Sequence, residues 1–188
     1  DQPVLFYINI LTTYFPDIDP SYDVYYQQVL EQVELAEELG WECFMFNEHH
    51  FLGYGGLVAN PAVLLAAAAA RTSRIRLGPC IAILPLRHPL QSAEDYAMVD
   101  SVSGGRLEFG IGTGNTLLDY QVFDIEREEG QERMEEALGI ILSAWEKERF
   151  DHRGKFWSFT EITLYPRPVQ QPHPPIWVAG TSARTLEW

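Results

Sequence analysis

The chain has 188 residues, enough for one domain with a sizeable core, and its balance of 46% hydrophobic to 21% charged residues is that of a globular protein. Its 13 Lys and Arg against 27 Asp and Glu leave a net charge of −14, which argues against a nucleic-acid partner, because phosphate contacts need a basic surface. No apolar run reaches bilayer length and no basic-then-apolar leader opens the chain, so the reading has no membrane partner and a cytoplasmic location.

Strand-like and helix-like segments alternate in chain order. Val4 to Leu11 is a nearly unbroken apolar run, the mark of a strand covered on both faces. Asp19-Pro20-Ser21 opens a helix in which Tyr22, Tyr25, Val29, Val33, Ala36 and Leu39 recur at helical spacing, and Gly40 stops it. Trp41 to Asn47 is the second strand. Asn60-Pro61 starts an alanine-rich helix, Ile75 to Leu84 is the third strand, and Pro89 to Val102 is a helix ended by Ser103-Gly104-Gly105. Arg106 to Ile111 is the fourth strand. An amphipathic helix from about Gln131 to Lys147 buries Met134, Leu138, Ile141 and Trp145. Phe150 to Leu164 reads as an irregular hairpin or extended excursion, and Pro175 to Ala179 is the fifth strand. Cys43 and Cys80, inside strand-like runs, read as two buried thiols in preference to a disulfide. The acidic groups Glu31, Glu34, Glu37 and Glu38, and those from Glu126 to Glu136, read as solvated helix faces.

Repeated β-then-α units predict one α/β domain over residues 1–188 with a parallel sheet covered by helices. Both an open doubly wound sheet and a closed (β/α)₈ barrel fit. The chain stops at Trp188 inside the helix after strand five, so the domain is expected to be truncated at its C-terminus.

In such folds functional groups collect where strands end. Strand two ends in Asn47-Glu48-His49-His50-Phe51, a costly cluster to bury without a purpose. General acid–base chemistry is one reading, and a pair of satisfied structural histidines is the other. A metal site is disfavoured because adjacent residues leaving a strand point to opposite sides. Gly110, Gly112 and Gly114 would let a cofactor approach the backbone, or merely ease a turn. They do not spell a dinucleotide fingerprint, since Asn115 stands where the last glycine belongs. Gly180-Thr181-Ser182, between a strand and a helix start, is an anion site or a plain helix cap. His88, before Pro89, is either a site residue or a helix-opening residue.

These words in this order resemble the bacterial luciferase family of flavin monooxygenases. The resemblance rests on Glu48-His49-His50-Phe51 with Gly53, Tyr54 and Gly56; on Leu84-Pro85, His88-Pro89 and Glu94-Asp95; on Ser103 through Gly110; and on Pro174 through Gly180. It implies a (β/α)₈ TIM barrel of the luciferase-like type, of which this chain holds about five of eight β/α units. It also implies reduced FMN as co-substrate, supplied by a separate flavin reductase, and reaction with O₂ through a C4a-peroxyflavin to oxidise a small apolar substrate such as an aldehyde. By the same resemblance His49 and Glu48 are catalytic. Cys80, Ile81 and Ala82 lie under the flavin ring, where the family often has a cis peptide. Thr113, Gly180, Thr181 and Ser182 hold the phosphate. Phe51, Tyr54 and His88 line the substrate pocket, and His50 and Glu94 meet a homodimer interface. Luciferases have arginine where this chain has Thr113, so that phosphate contact is neutral or another arginine serves. A deazaflavin-dependent oxidoreductase and a non-catalytic flavin-binding relative remain alternatives.

Overall fold

Local capping decides where the helices begin and end. Asn60 accepts a hydrogen bond from the Ala62 backbone N–H at 3.2 Å, with Pro61 in the first helical turn, and so opens the alanine-rich helix. Gly104, in the left-handed conformation at φ 68°, closes the next long helix. The structure, a computed structural model, describes residues 5–180. Among these, the elements run β1 (Tyr7–Ile10), α1 (Tyr22–Glu38), β2 (Cys43–Phe46), α2 (Pro61–Arg71), β3 (Arg76–Pro79), β4 (Ala82–Ile83), α3 (Pro89–Ser103) and β5 (Phe109–Gly112). There follow α4 (Leu117–Val122), α5 (Gly130–Glu146), β6 (Phe150–Arg153), β7 (Ser158–Ile162) and β8 (Ile176–Val178).

The sheet is parallel and its strands stand in chain order, β1-β2-β3 and then β4-β5-β8, the two parts joined where Leu77 bridges Leu107. The expected third strand is split: β3 ends at Pro79, β4 begins at Ala82, and the Cys80–Ile81 peptide between them is cis. Order without reversal lacks the switch point of a doubly wound sheet. Curvature follows from one contact. Five strand positions laid flat would put β1 and β8 roughly 19 Å apart at the usual strand spacing. Yet the rings of Tyr7 and Trp177 meet edge-on with centroids 5.4 Å apart, so the sheet curls its edges towards each other.

Alternation assigns the two faces. Phe44, Phe46, Leu77, Phe109 and Ile111 face the helices and join the main core with Val33, Leu65, Ala97 and Trp145. The concave face carries Tyr7, Cys43, Arg76, Glu108 and Trp177. There Arg76 is paired with Glu108, and the Trp177 indole N–H donates to Glu108 at 2.6 Å. Burial, with Glu108 nearby, pushes the Cys43 thiol up to about 12. Cys43 and Cys80 are both free thiols, Cys43 buried and Cys80 partly exposed.

Helix α1 buries Val29, Leu30, Val33 and Ala36, whereas Tyr22 and Leu39, expected on that face, lie at its ends and are exposed. The predicted excursion is the antiparallel β6–β7 hairpin, with a register irregularity between Phe150 and His152. Its turn is pinned to α5 by Glu136, whose carboxylate accepts from the backbone N–H groups of Lys155, Phe156 and Trp157 and contacts the His152 ring. Glu37 does the same for the loop before β3, accepting from Ser73, Arg74 and Ile75 N–H. Neither is the solvated face residue that its acidic run predicts; both are anchors.

Two consequences are measurable. A Cβ at Gly110 would overlap the Pro79 carbonyl oxygen, whereas one at Gly139, exposed on α5, meets nothing within 4 Å. Gly110→Ala should destabilise the full-length protein by about 1–3 kcal/mol, as overpacking does. Gly139→Ala should stabilise it by about 0.5–1 kcal/mol, as helix-interior glycine replacement does; chemical denaturation reads both. Burial acts to raise the Glu37 pKa, but its backbone and Ser73 donors outweigh this and hold it at about 2, below the ordinary 4.5. Its stabilisation is therefore complete above the unfolded value and lost as pH falls through the folded one. Glu37→Gln should lower the melting temperature at neutral pH, with the gap to the unaltered protein closing between about pH 4.5 and 2.

Candidate functional site

Beyond Phe46 the second strand continues without its own ladder, and side chains replace the missing hydrogen bonds. The Asn47 side chain accepts from Thr12 N–H at 3.3 Å and donates to the Gly55 carbonyl at 3.1 Å, tying the end of β1 and the 51–57 loop to β2. The Glu48 side chain has no solvent exposure; one oxygen accepts from Ile83 N–H at 3.0 Å and the other lies 3.1 Å from His50 Nε2. His49 is left partly exposed, with Nδ1 3.4 Å from the Thr116 hydroxyl.

Together these groups form one wall of a cavity of about 500 Å³ at the C-terminal ends of the strands. Asn47, Glu48 and His49 face it from β2, Cys80, Ile81 and Ile83 from the β3–β4 junction, and Gly112 to Asn115 from the end of β5. Arg127 and Gln131 come from the start of α5, and Ala179 and Gly180 from the end of β8. Its floor is low: a Cβ on Gly112 would come 2.8 Å from Ile81 Cδ1, and one on Gly114, at φ 71°, 3.0 Å from Ile83 Cγ2. Burial raises the pKa of the Cys80 thiol in the wall, which favours the neutral form.

The structure brings Glu48, His49, Cys80, Ile81, Thr113 and Gly180 to this cavity. Ala82 is buried in β4 beside them without lining it. Thr181 and Ser182 lie outside the described residues. Phe51, Tyr54 and His88 are not in the lining. Phe51, at φ 59°, turns its ring towards Phe123 and His50, and Tyr54 is 69% exposed. The His88 ring is used as the N-cap of α3, accepting from Leu90 N–H at 3.3 Å. His50 is buried against Glu48, and no hydrogen bond or ion pair joins it to Glu94, which is exposed on α3. Among the described residues no group of three or more His, Cys, Asp or Glu could hold a metal ion.

Sequence reading missed Arg127. It sits inside the acidic run 126–136, donates to the Gly114 carbonyl at 3.2 Å and lies over the Tyr120 ring at 5.0 Å. Its one available signal was the absence of arginine at position 113, which asked for a cation elsewhere.

Comparison with known proteins gives a consistent answer. The family model described as luciferase-like monooxygenase matches residues 7–188. The oxygenase component of flavin-dependent trigonelline monooxygenase from Acinetobacter baylyi is 33% identical over 87% of this chain and 45% of its own length. Limonene 1,2-monooxygenase from Rhodococcus erythropolis is 38% identical over 81% of this chain and 38% of its own. The crystal structure of the monooxygenase RslO1 from Streptomyces bottropensis superimposes with a TM-score of 0.90 at 36% identity, covering 93% of this chain and 53% of that one. The chain spans about half the length of the curated relatives it matches.

Removing the Glu48 carboxylate would strand a buried N–H and a buried imidazole. Glu48→Ala should therefore destabilise the full-length protein by about 1–3 kcal/mol, the range for an unmet buried polar group, as read by chemical denaturation.

Proposed function

The chain belongs to the luciferase-like monooxygenase family, and from that premise we propose that it builds the flavin-facing part of an FMN-dependent monooxygenase. The substrates are reduced FMN, delivered by a separate flavin reductase, O₂ and a small apolar organic compound such as an aldehyde. One observation carries the proposal: a cavity at the strand ends that combines a glycine-lined floor, an imidazole and one arginine. The relative named an oxygenase component supports a separate reductase. The fold is of the (β/α)₈ barrel type, with these five strand positions as part of the barrel, and a homodimer forms on the α2–α3 side. There Val63, Met98 and Val102 are exposed and Glu94 lies among them.

The residues present fit FMN. A flat ring system needs a floor without side-chain bulk, which Gly112, Gly114 and Ala179 supply beside Cys80 and Ile81. A phosphate needs a cation and hydrogen-bond donors, and on a chain of net charge −14 that cation must be local. Arg127 supplies it in place of an arginine at 113, with the Thr113 hydroxyl and Gly180 contributing neutral contacts. When bound, reduced FMN supplies two electrons and the carbon at which O₂ is activated. His49 moves protons at the reacting atoms: Thr116 engages Nδ1, and Nε2 remains for exchange. Glu48 does not exchange protons with substrate; it fixes the strand end that presents His49.

The test is anaerobic titration of the full-length protein with photoreduced FMN, then mixing with aerated buffer and aldehyde while acid formation and oxygen uptake are followed. Binding with substrate oxidation is expected. His49→Ala should leave FMN binding nearly intact and cut oxidation at least about tenfold, since such groups contribute 10²–10⁴ in rate. Arg127→Ala should weaken FMN binding about tenfold or more, the loss of a charge-assisted contact. FMN binding without oxidation of any substrate would indicate the non-catalytic relative, and anaerobic hydride transfer with a deazaflavin in place of FMN would indicate the other branch.

A further inference from the structure

Helix α4 begins at Thr116 without the cap that its sequence offers. Threonine is favoured at an N-cap because its hydroxyl accepts from a free N–H of the first turn. Here the hydroxyl makes no such bond. It lies instead 3.4 Å from His49 Nδ1 and 3.4 Å from Asn115 Oδ1, and both partners line the cavity. The helix is anchored by other residues. The Tyr120 hydroxyl donates to the Thr113 carbonyl at 2.5 Å, and the Phe123 ring meets the His50 ring edge-on at 5.1 Å. A side chain suited to closing a helix end is thus turned away from that work and held against the one imidazole that faces the cavity.

A hydroxyl has one proton to give and lone pairs with which to receive. The Thr116 proton goes to Asn115 Oδ1, which can only accept, so lone pairs are what Thr116 presents to His49. We propose that Thr116 is a positioning residue that fixes the proton of neutral His49 on Nδ1, so that Nε2 meets a ligand as a base. The opposite edge of the ring is confined as well. A Cβ on Gly55 would stand 3.2 Å from His49 Cδ2 and 2.7 Å from Leu11 Cδ1, so there is no room for a side chain at that position. Gly55 is kept there by the Thr13 hydroxyl, which accepts from its N–H at 3.2 Å, and by the Asn47 amide on its carbonyl. Among the described residues no hydrogen bond holds Nε2. A proton taken there breaks an O–H or N–H bond of the ligand and forms Nε2–H. The imidazolium so made keeps its Nδ1–H on Thr116 and returns the Nε2 proton in a later step. Without the hydroxyl the neutral ring is free to adopt the Nε2–H form that histidine prefers in water, which can only donate at Nε2. The consequence for turnover rests on His49 being the acid–base residue; the place of its proton does not.

The experiment records nitrogen-15 spectra of the His49 ring in the full-length protein without flavin, at a pH where the imidazole is neutral. The unaltered protein should show a protonated Nδ1 and an unprotonated Nε2. Thr116→Val keeps the branching of the side chain and removes the hydroxyl, so it should move His49 towards the Nε2–H form, whereas Thr116→Ser should keep Nδ1–H. Asn115→Ala, at an exposed position, frees the Thr116 proton to donate to Nδ1 and should move the ring the same way with Thr116 still in place. An Nε2–H form in the unaltered protein, or ring signals that ignore both Thr116→Val and Asn115→Ala, overturns the proposal. So does a valine variant that loses melting temperature with its ring signals unmoved, since a threonine serving only the helix predicts that. In turnover Thr116→Val should lower kcat about tenfold, the worth of one oriented hydrogen bond, with FMN binding within about twofold and serine restoring the rate. A shifted ring proton with an unchanged rate overturns the role in turnover. A shifted ring proton with no oxidation by the unaltered protein means instead that the functional reading has failed and the assignment of the proton stands.

Discussion

The Glu48 side chain is wholly shut off from solvent, and a carboxylate so placed must be answered by donors on every side. Those donors are a backbone N–H of β4 and the ring of His50, so one side chain joins the end of β2 to the strand beyond β3 and to the residue after His49. Asn47, one position earlier and pointing the other way, makes the matching connection to β1 and the 51–57 loop. Between two anchored neighbours His49 has little freedom, and its backbone N–H is itself held by the Val58 carbonyl at 3.3 Å. The polar residues that look from sequence like a cluster of reactive groups are thus mostly committed to holding the strand end, with His49 left partly exposed beside the cavity. Their buried positions are what make a rim of loops rigid enough to present an imidazole at a defined place.

Charge is used in a similar way through the rest of the domain. With twice as many acidic as basic residues, the chain has carboxylates to spare for loops, and Glu37 and Glu136 each gather three backbone N–H groups from a segment with no ladder of its own. Two arginines, Arg76 and Arg106, sit where several acceptors converge. Arg106 donates to carbonyls at the end of α2, to Ile75 and to Ser103, closing the seam between helix and sheet. Arg127 differs from these two, with a single hydrogen bond to Gly114 and its guanidinium over an aromatic face beside the cavity. A cation so lightly committed, at the mouth of a cavity in an acidic protein, is suited to an anionic ligand.

What the sequence made legible was whatever depends on nearest neighbours. Asn60 before Pro61, Gly104 after Ser103 and the apolar period of α5 mark their elements because caps and faces are encoded within a few residues. The site was legible only as strand ends. Helix α4 escaped because it is six residues long and Leu117, Leu118 and Val122 are exposed, so it shows no buried stripe. Arg127 was hidden by the acidic run around it. Phe51 and His88 lie outside the lining of this cavity for a local reason that sequence does not carry: one residue has a left-handed backbone, and the other spends a ring nitrogen on a helix cap.

The curl of the sheet explains why the cavity lies where it does. Drawing Tyr7 and Trp177 together brings the concave side chains near the N-terminal ends of the strands into contact, and there Arg76, Glu108 and Trp177 interlock with Gln170. That end is filled. Towards the other end the concave positions of β3 and β5 become Gly78, Gly110 and Gly112, beside Met45 of β2, and the strands themselves approach so closely that Gly78 and Gly110 leave no room for a Cβ. On β3 and β5 side chains that would plug the upper layer are therefore excluded by backbone contact, and the space left open is bounded by the loops that follow the strands. That space has glycine backbone below and loop side chains around it. The same close approach that tightens the sheet creates the vacancy above it, so stability of the strands and access to the site have one geometric origin.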